Sequence, residues 1–253
     1  MSRIQQVLDK AEIEGAIRRT RVATPAVGVP ASPTVPGHSR TVAVTLDARL
    51  LAGRAPTSTT AEQYRALRTR LDRVDRRRTE HVLLVTSPGP AEGRSLTVAN
   101  LGLTMAQDRE RRICIVDADL RHSSQHSFFG IPETPGLSDV ILGRAPLDDA
   151  IVTVADTPNL ALLPAGTAPA HPAEVLGTNA MHRVLQALRA RFDCVLVDAP
   201  AVVPSADVGI LAPLVDGIVV VVRAGFTTRP AIRDAIGALD PGRLLGIVLN
   251  DAR

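Results

Sequence analysis

Val82-Leu83-Leu84-Val85-Thr86-Ser87-Pro88-Gly89-Pro90-Ala91-Glu92-Gly93-Arg94-Ser95-Leu96-Thr97 reads as a buried strand, a tight glycine turn and the start of a helix. That layout makes a phosphate-binding loop. Backbone N–H groups turned inward at a helix N-terminus offer donors and partial positive charge to an anion, and Gly93 lets the backbone approach with no Cβ in the way. Pro90, Ala91, Glu92, Gly93, Arg94, Ser95 and Leu96 are therefore candidate contacts for a bound nucleotide. The usual motif continues with Lys, which meets the outer phosphates, and then Ser or Thr, whose hydroxyl meets Mg²⁺. Here those places hold Arg94 and Ser95, and Pro88 stands where the first glycine is usual.

Around this loop, apolar runs alternate with amphipathic ones. Strands are expected at Val82–Val85, Ile113–Val116, Leu160–Leu163, Cys194–Val197, Ile218–Val222 and Leu245–Leu249, with a short extended piece at Thr41–Leu46. Helices are expected from Ser95 to about Asp108, from Pro172 to Arg191, after Ala206 and from Pro230 to Leu239. Continuous apolar strands such as Ile218-Val219-Val220-Val221-Val222 are buried on both faces, which means a mostly parallel sheet sandwiched by helices, an α/β fold. Ahead of it, Thr59-Thr60-Ala61-Glu62 has the spacing of a capping box. It opens a helix that carries Tyr64, Leu67, Leu71 and Val74 on one stripe and ends near Arg77.

Three domains of behaviour follow: a short amphipathic helix over residues 1–19, with Ile4, Val7, Leu8 and Ala11 at helical spacing; a flexible Pro-rich linker over 20–40; and the loop-bearing domain over 41–253. The net charge of +3 is too small to argue for nucleic acid, and 2% aromatic content leaves few stacking platforms for single strands. An arginine-rich run, Arg65 to Arg78, reads by default as a solvated face. Cys114 and Cys194 fall inside strand runs and read as buried free thiols, which suits a reducing cytoplasm. The opening residues are not expected to act as a leader. Its most apolar region, Val208 to Val222, is broken by Pro213 and Asp216, so no direct membrane span is expected.

Ligands of open α/β sheets sit at the carboxyl ends of the strands. One strand tip reads Val116-Asp117-Ala118-Asp119-Leu120-Arg121 and another Val197-Asp198-Ala199-Pro200, so Asp117, Asp119 and Asp198 should converge on a crevice facing the loop. Carboxylates so placed suit Mg²⁺, held directly or through water, and phosphoryl transfer.

Taken together these residues resemble the bacterial tyrosine kinases of capsule and exopolysaccharide synthesis, a branch of the MinD/ParA-like P-loop ATPases. Asp117-Ala118-Asp119-Leu120-Arg121 is similar to that family's second acidic motif, and Val195-Leu196-Val197-Asp198-Ala199-Pro200 to its Walker B strand. Glu62-Gln63-Tyr64-Arg65-Ala66-Leu67-Arg68 is similar to its ExxRxxR helix, and Gly136-Leu137-Ser138-Asp139-Val140 and Leu163-Pro164-Ala165-Gly166 to its intervening segments. The resemblance implies ATP and Mg²⁺ as ligands, with Ser95, Asp117 and Asp198 on the metal. Asp119 becomes the base for an incoming hydroxyl, Arg94 the phosphate-binding cation and Asn250 an adenine contact. It also implies association into a homo-oligomer through Glu62, Arg65 and Arg68, and a cytoplasmic protein attached to the membrane through a polysaccharide co-polymerase or chain-length regulator.

Two departures from the family pattern bear on activity. Arg94 replaces a compact ammonium by a planar fork, a swap that is not conservative at a phosphate cradle. The family's tyrosine-rich C-terminal tail is not seen before Arg253, and Tyr64 is the single tyrosine. A non-catalytic nucleotide-switch scaffold of the same lineage is therefore the alternative to an active kinase, ahead of a partition or positioning ATPase.

Overall fold

The computed structural model describes residues 40–74 and 81–251. The expected N-terminal helix, the linker up to residue 39 and the helix end near Arg77 lie outside the described residues. Strands β1 (Arg40–Val42), β2 (His81–Thr86), β3 (Ile113–Asp117), β4 (Val152–Val154), β5 (Thr157–Leu163), β6 (Cys194–Asp198), β7 (Gly217–Arg223) and β8 (Leu244–Asn250) form one sheet. Their spatial order is β1-β4-β5-β3-β6-β2-β7-β8. All neighbours run parallel except β4 and β5, which pair antiparallel across a tight reversal at Ala155 and Asp156.

The central strands are buried on both faces because each side of the sheet carries its own apolar layer. Along β3, Cys114 and Val116 enter one layer and Ile113 and Ile115 the other; along β2, Val82 and Leu84 oppose Leu83 and Val85. Period-2 alternation of all-apolar residues thus feeds two cores at once. Helix α3 (Arg94–Met105) covers the second layer with Val98, Ala99, Leu101 and Met105, and α2 (Thr59–Val74) lies outside it with Tyr64, Leu67 and Leu71 packed inward. The first layer is closed by α5 (Leu137–Ile141), α7 (Pro172–Leu176), α8 (Asn179–Arg189) and α9 (Asp207–Leu211). Shorter helices α1 (Leu51–Arg54), α4 (Gln125–Phe129) and α6 (Leu147–Ala150), the late helix α10 (Arg229–Gly237) and a 3₁₀ turn at Ala212–Leu214 complete the described elements. Edge strand β8 is only half covered, with Ile247 and Leu249 exposed.

Three expectations are corrected. The helix read from Pro172 to Arg191 is two helices, because Gly177 ends the first and Thr178, in extended conformation, starts the second. The cap of α2 is Ser58, whose hydroxyl accepts the Ala61 N–H at 3.2 Å, while Glu62 turns to Arg65 instead of closing a box with Thr59. Arg40, assigned to the linker, already belongs to β1.

Candidate functional site

Adjacent strand ends build the site. Asp117 and Asp198 are cross-strand partners at the last paired position of β3 and β6, so their side chains leave the sheet side by side. Asp119 follows Asp117 by a tight turn in which the Asp119 N–H donates to Asp117 Oδ1 at 3.2 Å. Beyond the end of β2, the Thr86 hydroxyl donates to the Pro200 carbonyl at 2.7 Å and the Val202 N–H to the Ser87 carbonyl at 2.8 Å. These bonds bring the glycine loop alongside the acidic strand tips. The loop bends through two left-handed residues, Ala91 (φ 62°) and Gly93 (φ 84°), before α3 begins at Arg94. A Cβ on Gly93 would sit 2.0 Å from the Asn250 amide nitrogen, so only glycine fits there.

Into this cluster the protein places its own cation. Arg94 donates from Nε to Asp198 Oδ1 at 2.9 Å and from Nη2 to Asp119 Oδ2 at 2.7 Å, with its side chain 11% exposed. The planar fork spans two carboxylates, which an ammonium on a thinner stem does with less geometric constraint. Asp117 lacks this partner. It accepts instead the N–H groups of Ser124 and Gln125, at 2.9 and 3.0 Å. Burial and the neighbouring Asp198 outweigh those donors and push Asp117 up to about 8. Asp198 is also raised, by burial first, against the pull of Arg94 and of side-chain hydrogen bonds from Gln125 and Ser95.

Several expected residues come together as read from the sequence: Arg94, Ser95, Asp117, Asp119 and Asp198 share one crevice. Others do different work from that expected of the loop. The Glu92 side chain is buried away from the crevice, accepting the Arg223 N–H at 2.7 Å and the Thr227 hydroxyl. Leu96 packs on the core layer, whereas Pro90 and Ala91 are exposed at the loop tip. Asn250 donates to the Glu92 carbonyl at 2.9 Å and lines a groove of about 590 Å³ between α2 and β8, together with Tyr64, Thr97 and Leu249. On α2, Arg65 reaches Glu62, Gln107 and the Pro56 carbonyl, and Arg68 donates to the Thr104 carbonyl at 3.0 Å, so both arginines also bond within their own chain.

Sequence reading missed Gln125 and the Arg121–Asp207 ion pair (3.4 Å), in which Asp207 is fully buried. Ser123-Ser124 ahead of an apolar pair was a usable helix-start signal for α4, but the residue it brings inward was not marked by any motif.

Beside the Arg94 guanidinium and the Gln125 amide, the groups able to ligate a cation are all oxygens: the Ser95 hydroxyl and the Asp117 and Asp198 carboxylates. That set suits a hard divalent cation such as Mg²⁺ rather than a soft one. Among the described residues no group of three His, Cys, Asp or Glu is arranged to hold a metal by itself, so a cation here would depend on the serine and on ligands from outside the chain.

A mostly parallel sheet with a glycine loop at one strand tip and acidic pairs at its neighbours defines a P-loop nucleoside-triphosphatase fold of the MinD/ParA-like kind. No protein-family model matches the chain. It is 33% identical over 203 residues to the tyrosine-protein kinase YwqD of Bacillus subtilis, an alignment covering 79% of this chain and 85% of that protein. It is 33% identical over 201 residues to the succinoglycan biosynthesis transport protein ExoP of Rhizobium meliloti, covering 78% of this chain but 25% of ExoP. The solved BceF tyrosine kinase domain superposes with a TM-score of 0.70 at 27% identity, covering 98% of this chain and 89% of that domain. The chain belongs to the bacterial tyrosine kinases of capsule and exopolysaccharide synthesis. It spans about a quarter of the longer relatives' length.

Proposed function

We propose that the chain binds ATP with Mg²⁺ and serves capsule or exopolysaccharide synthesis as a tyrosine-kinase-type subunit at the cytoplasmic side of a membrane polysaccharide co-polymerase. The observation that carries this reading is the facing of the Gly93 loop by the Asp117–Asp198 pair. In this reading the loop N–H groups and Arg94 take the phosphates, and Ser95, Asp117 and Asp198 hold Mg²⁺. Asp119 accepts the proton of an incoming hydroxyl, and Asn250 meets the adenine at the end of the groove. Mg²⁺, when bound, supplies charge neutralisation on the phosphate oxygens. Glu62, Arg65 and Arg68 contribute to association between copies. No described helix is long and apolar enough to cross a membrane, in keeping with attachment through a partner.

Arg94 favours a second reading, a nucleotide switch with weak transfer. The guanidinium is committed to Asp119 and Asp198, and phosphoryl transfer needs that same Asp119 free to take a proton. Its single tyrosine is a poor acceptor, because the Tyr64 ring packs on the core layer and its hydroxyl bonds the Thr97 side chain. Thermal melting with millimolar Mg·ATP separates binding from its absence: a ligand at 100 times its Kd adds about 2.7 kcal/mol. No shift sinks both readings. Radiolabel from ATP then separates kinase from switch. The switch reading expects little phosphotyrosine on the protein alone and higher ATP turnover in Arg94→Lys; abundant Tyr64 phosphate that vanishes in Asp119→Asn restores the plain kinase.

A further inference from the structure

Gln125 is the first residue of α4 and is 1% exposed. Its amide nitrogen donates twice, to the Asp198 carboxylate at 2.8 Å and to the Ser95 carbonyl at 2.9 Å, while its backbone N–H donates to Asp117 Oδ2. One residue therefore touches both strand-end carboxylates and the first turn after the glycine loop. Its orientation is forced. Both side-chain partners are oxygens without hydrogens, so the NH₂ end must face them, and a flipped amide would aim an acceptor at two acceptors.

The other end of the same amide has nothing to accept. Oε1 of Gln125 is buried without a hydrogen-bond partner, and so is the hydroxyl of its neighbour Ser124. A buried acceptor left unmade is costly, and such atoms in a folded protein mark a missing donor. Because Oε1 shares its carbon with the nitrogen that holds Asp198, the missing donor belongs beside that carboxylate. Among the described residues nothing else bonds it: Arg94 is engaged with Asp119 and Asp198, with its Nη1 3.5 Å from the Ser87 hydroxyl.

Divalent cations of the Mg²⁺ type keep several waters when they bind through one or two carboxylates, and those waters are strong donors. We propose that Gln125 is a positioning residue of the cation site: its nitrogen holds Asp198 in place and its vacant oxygen receives a hydrogen bond from a water carried by the divalent cation. The inference rests on the cation-dependent nucleotide site proposed above. It does not place Gln125 on the metal, and its contribution is to metal affinity rather than to the grip on the phosphates.

The test is a titration of MgCl₂ against the protein with a fluorescent ADP analogue, set beside the affinity for the same analogue in EDTA. Gln125→Met keeps length and packing and removes both polar ends. The expected result is a Mg²⁺ midpoint raised on the order of tenfold, the worth of one hydrogen bond to a charged group, with metal-free affinity within about twofold of the parent. Gln125→Asn keeps an amide but withdraws it by one methylene, and it should move in the same direction by less; it decides the question if the Met variant fails to fold. An unchanged Mg²⁺ midpoint in a folded variant overturns the inference and leaves the nucleotide site standing. Parallel loss of metal-free and metal-supported affinity also overturns it, since a merely structural residue does that. A parent whose affinity ignores Mg²⁺ instead overturns the cation site itself.

Discussion

Arg94 is both a departure from the usual loop and the counter-charge to the acidic cluster. Removing one partner of a buried ion pair strands the other charge, at a cost of about 3–5 kcal/mol. Arg94→Ala should therefore lower the unfolding free energy of nucleotide-free protein, read from urea melts, by an amount in that range, and millimolar Mg²⁺ should recover part of it by neutralising the stranded carboxylates. A midpoint equal to the parent's would show that Arg94 is not the counter-ion of Asp119 and Asp198. Tyr64 gives a second residue-scale expectation. Burial raises its pKa above the ordinary value of 10, against the hydrogen bond from Thr97. Below pH 10 both folded and unfolded states keep the proton, so its contribution to stability is fully present there. Above it the unfolded chain ionises first, and that contribution is lost as pH rises through the folded value. With a single tyrosine in the chain, absorbance at 295 nm reads this group alone, and the native midpoint should lie above that in denaturant.

At the scale of elements, the segment after β5 is locked to the start of α5. A Cβ on Gly136 would lie 2.2 Å from the Gly166 nitrogen and 2.4 Å from the Pro164 oxygen, both backbone atoms that cannot swing aside. Gly136→Ala should destabilise by about 2–3 kcal/mol through forced separation of the two segments, read as a lower denaturant midpoint with the slope unchanged. Sequence alone reached the strands of this layer because runs such as Ile218 to Val222 have no other stable reading. It missed α4, α5 and α6, whose four or five residues are too short for a 3.6-residue period to register, and β4, whose Val152-Thr153-Val154 makes sense only beside β5. Periodicity also carried one helix across Gly177 and Thr178, where local stop signals prevailed. In the site, the strand-end aspartates were legible because each follows an apolar run. Gln125 was not, since its meaning comes from Asp198, 73 residues further along.

Across the whole molecule, both cysteines are sealed in the sheet interior, and burial pushes Cys194 up to about 12 and Cys114 higher still. A thiol reagent should titrate neither in the native protein at pH 8 and both in urea; rapid native labelling would contradict the packing of β3 and β6. Association through the α2 face is expected to depend on salt, because Glu62 is 71% exposed and exposed pairs contribute only about 0–1 kcal/mol each. Light scattering should show larger species at low ionic strength that dissociate as salt rises; a monomer throughout, with nucleotide present, would remove α2 as an interface.

The anchoring of Glu92 bears on when the loop can form at all. Its side chain is held by Arg223 and Thr227, 131 and 135 positions later, and its carbonyl by Asn250, 158 positions later. Local helix formation can build α3 early, but the bend ahead of it takes its shape only once β7 and β8 have docked, and contacts so distant in sequence close late. A fluorescent nucleotide added during refolding would therefore report the end of the process rather than its beginning. During synthesis, a chain with β7 and β8 still inside the ribosome would lack the anchors that shape its glycine loop.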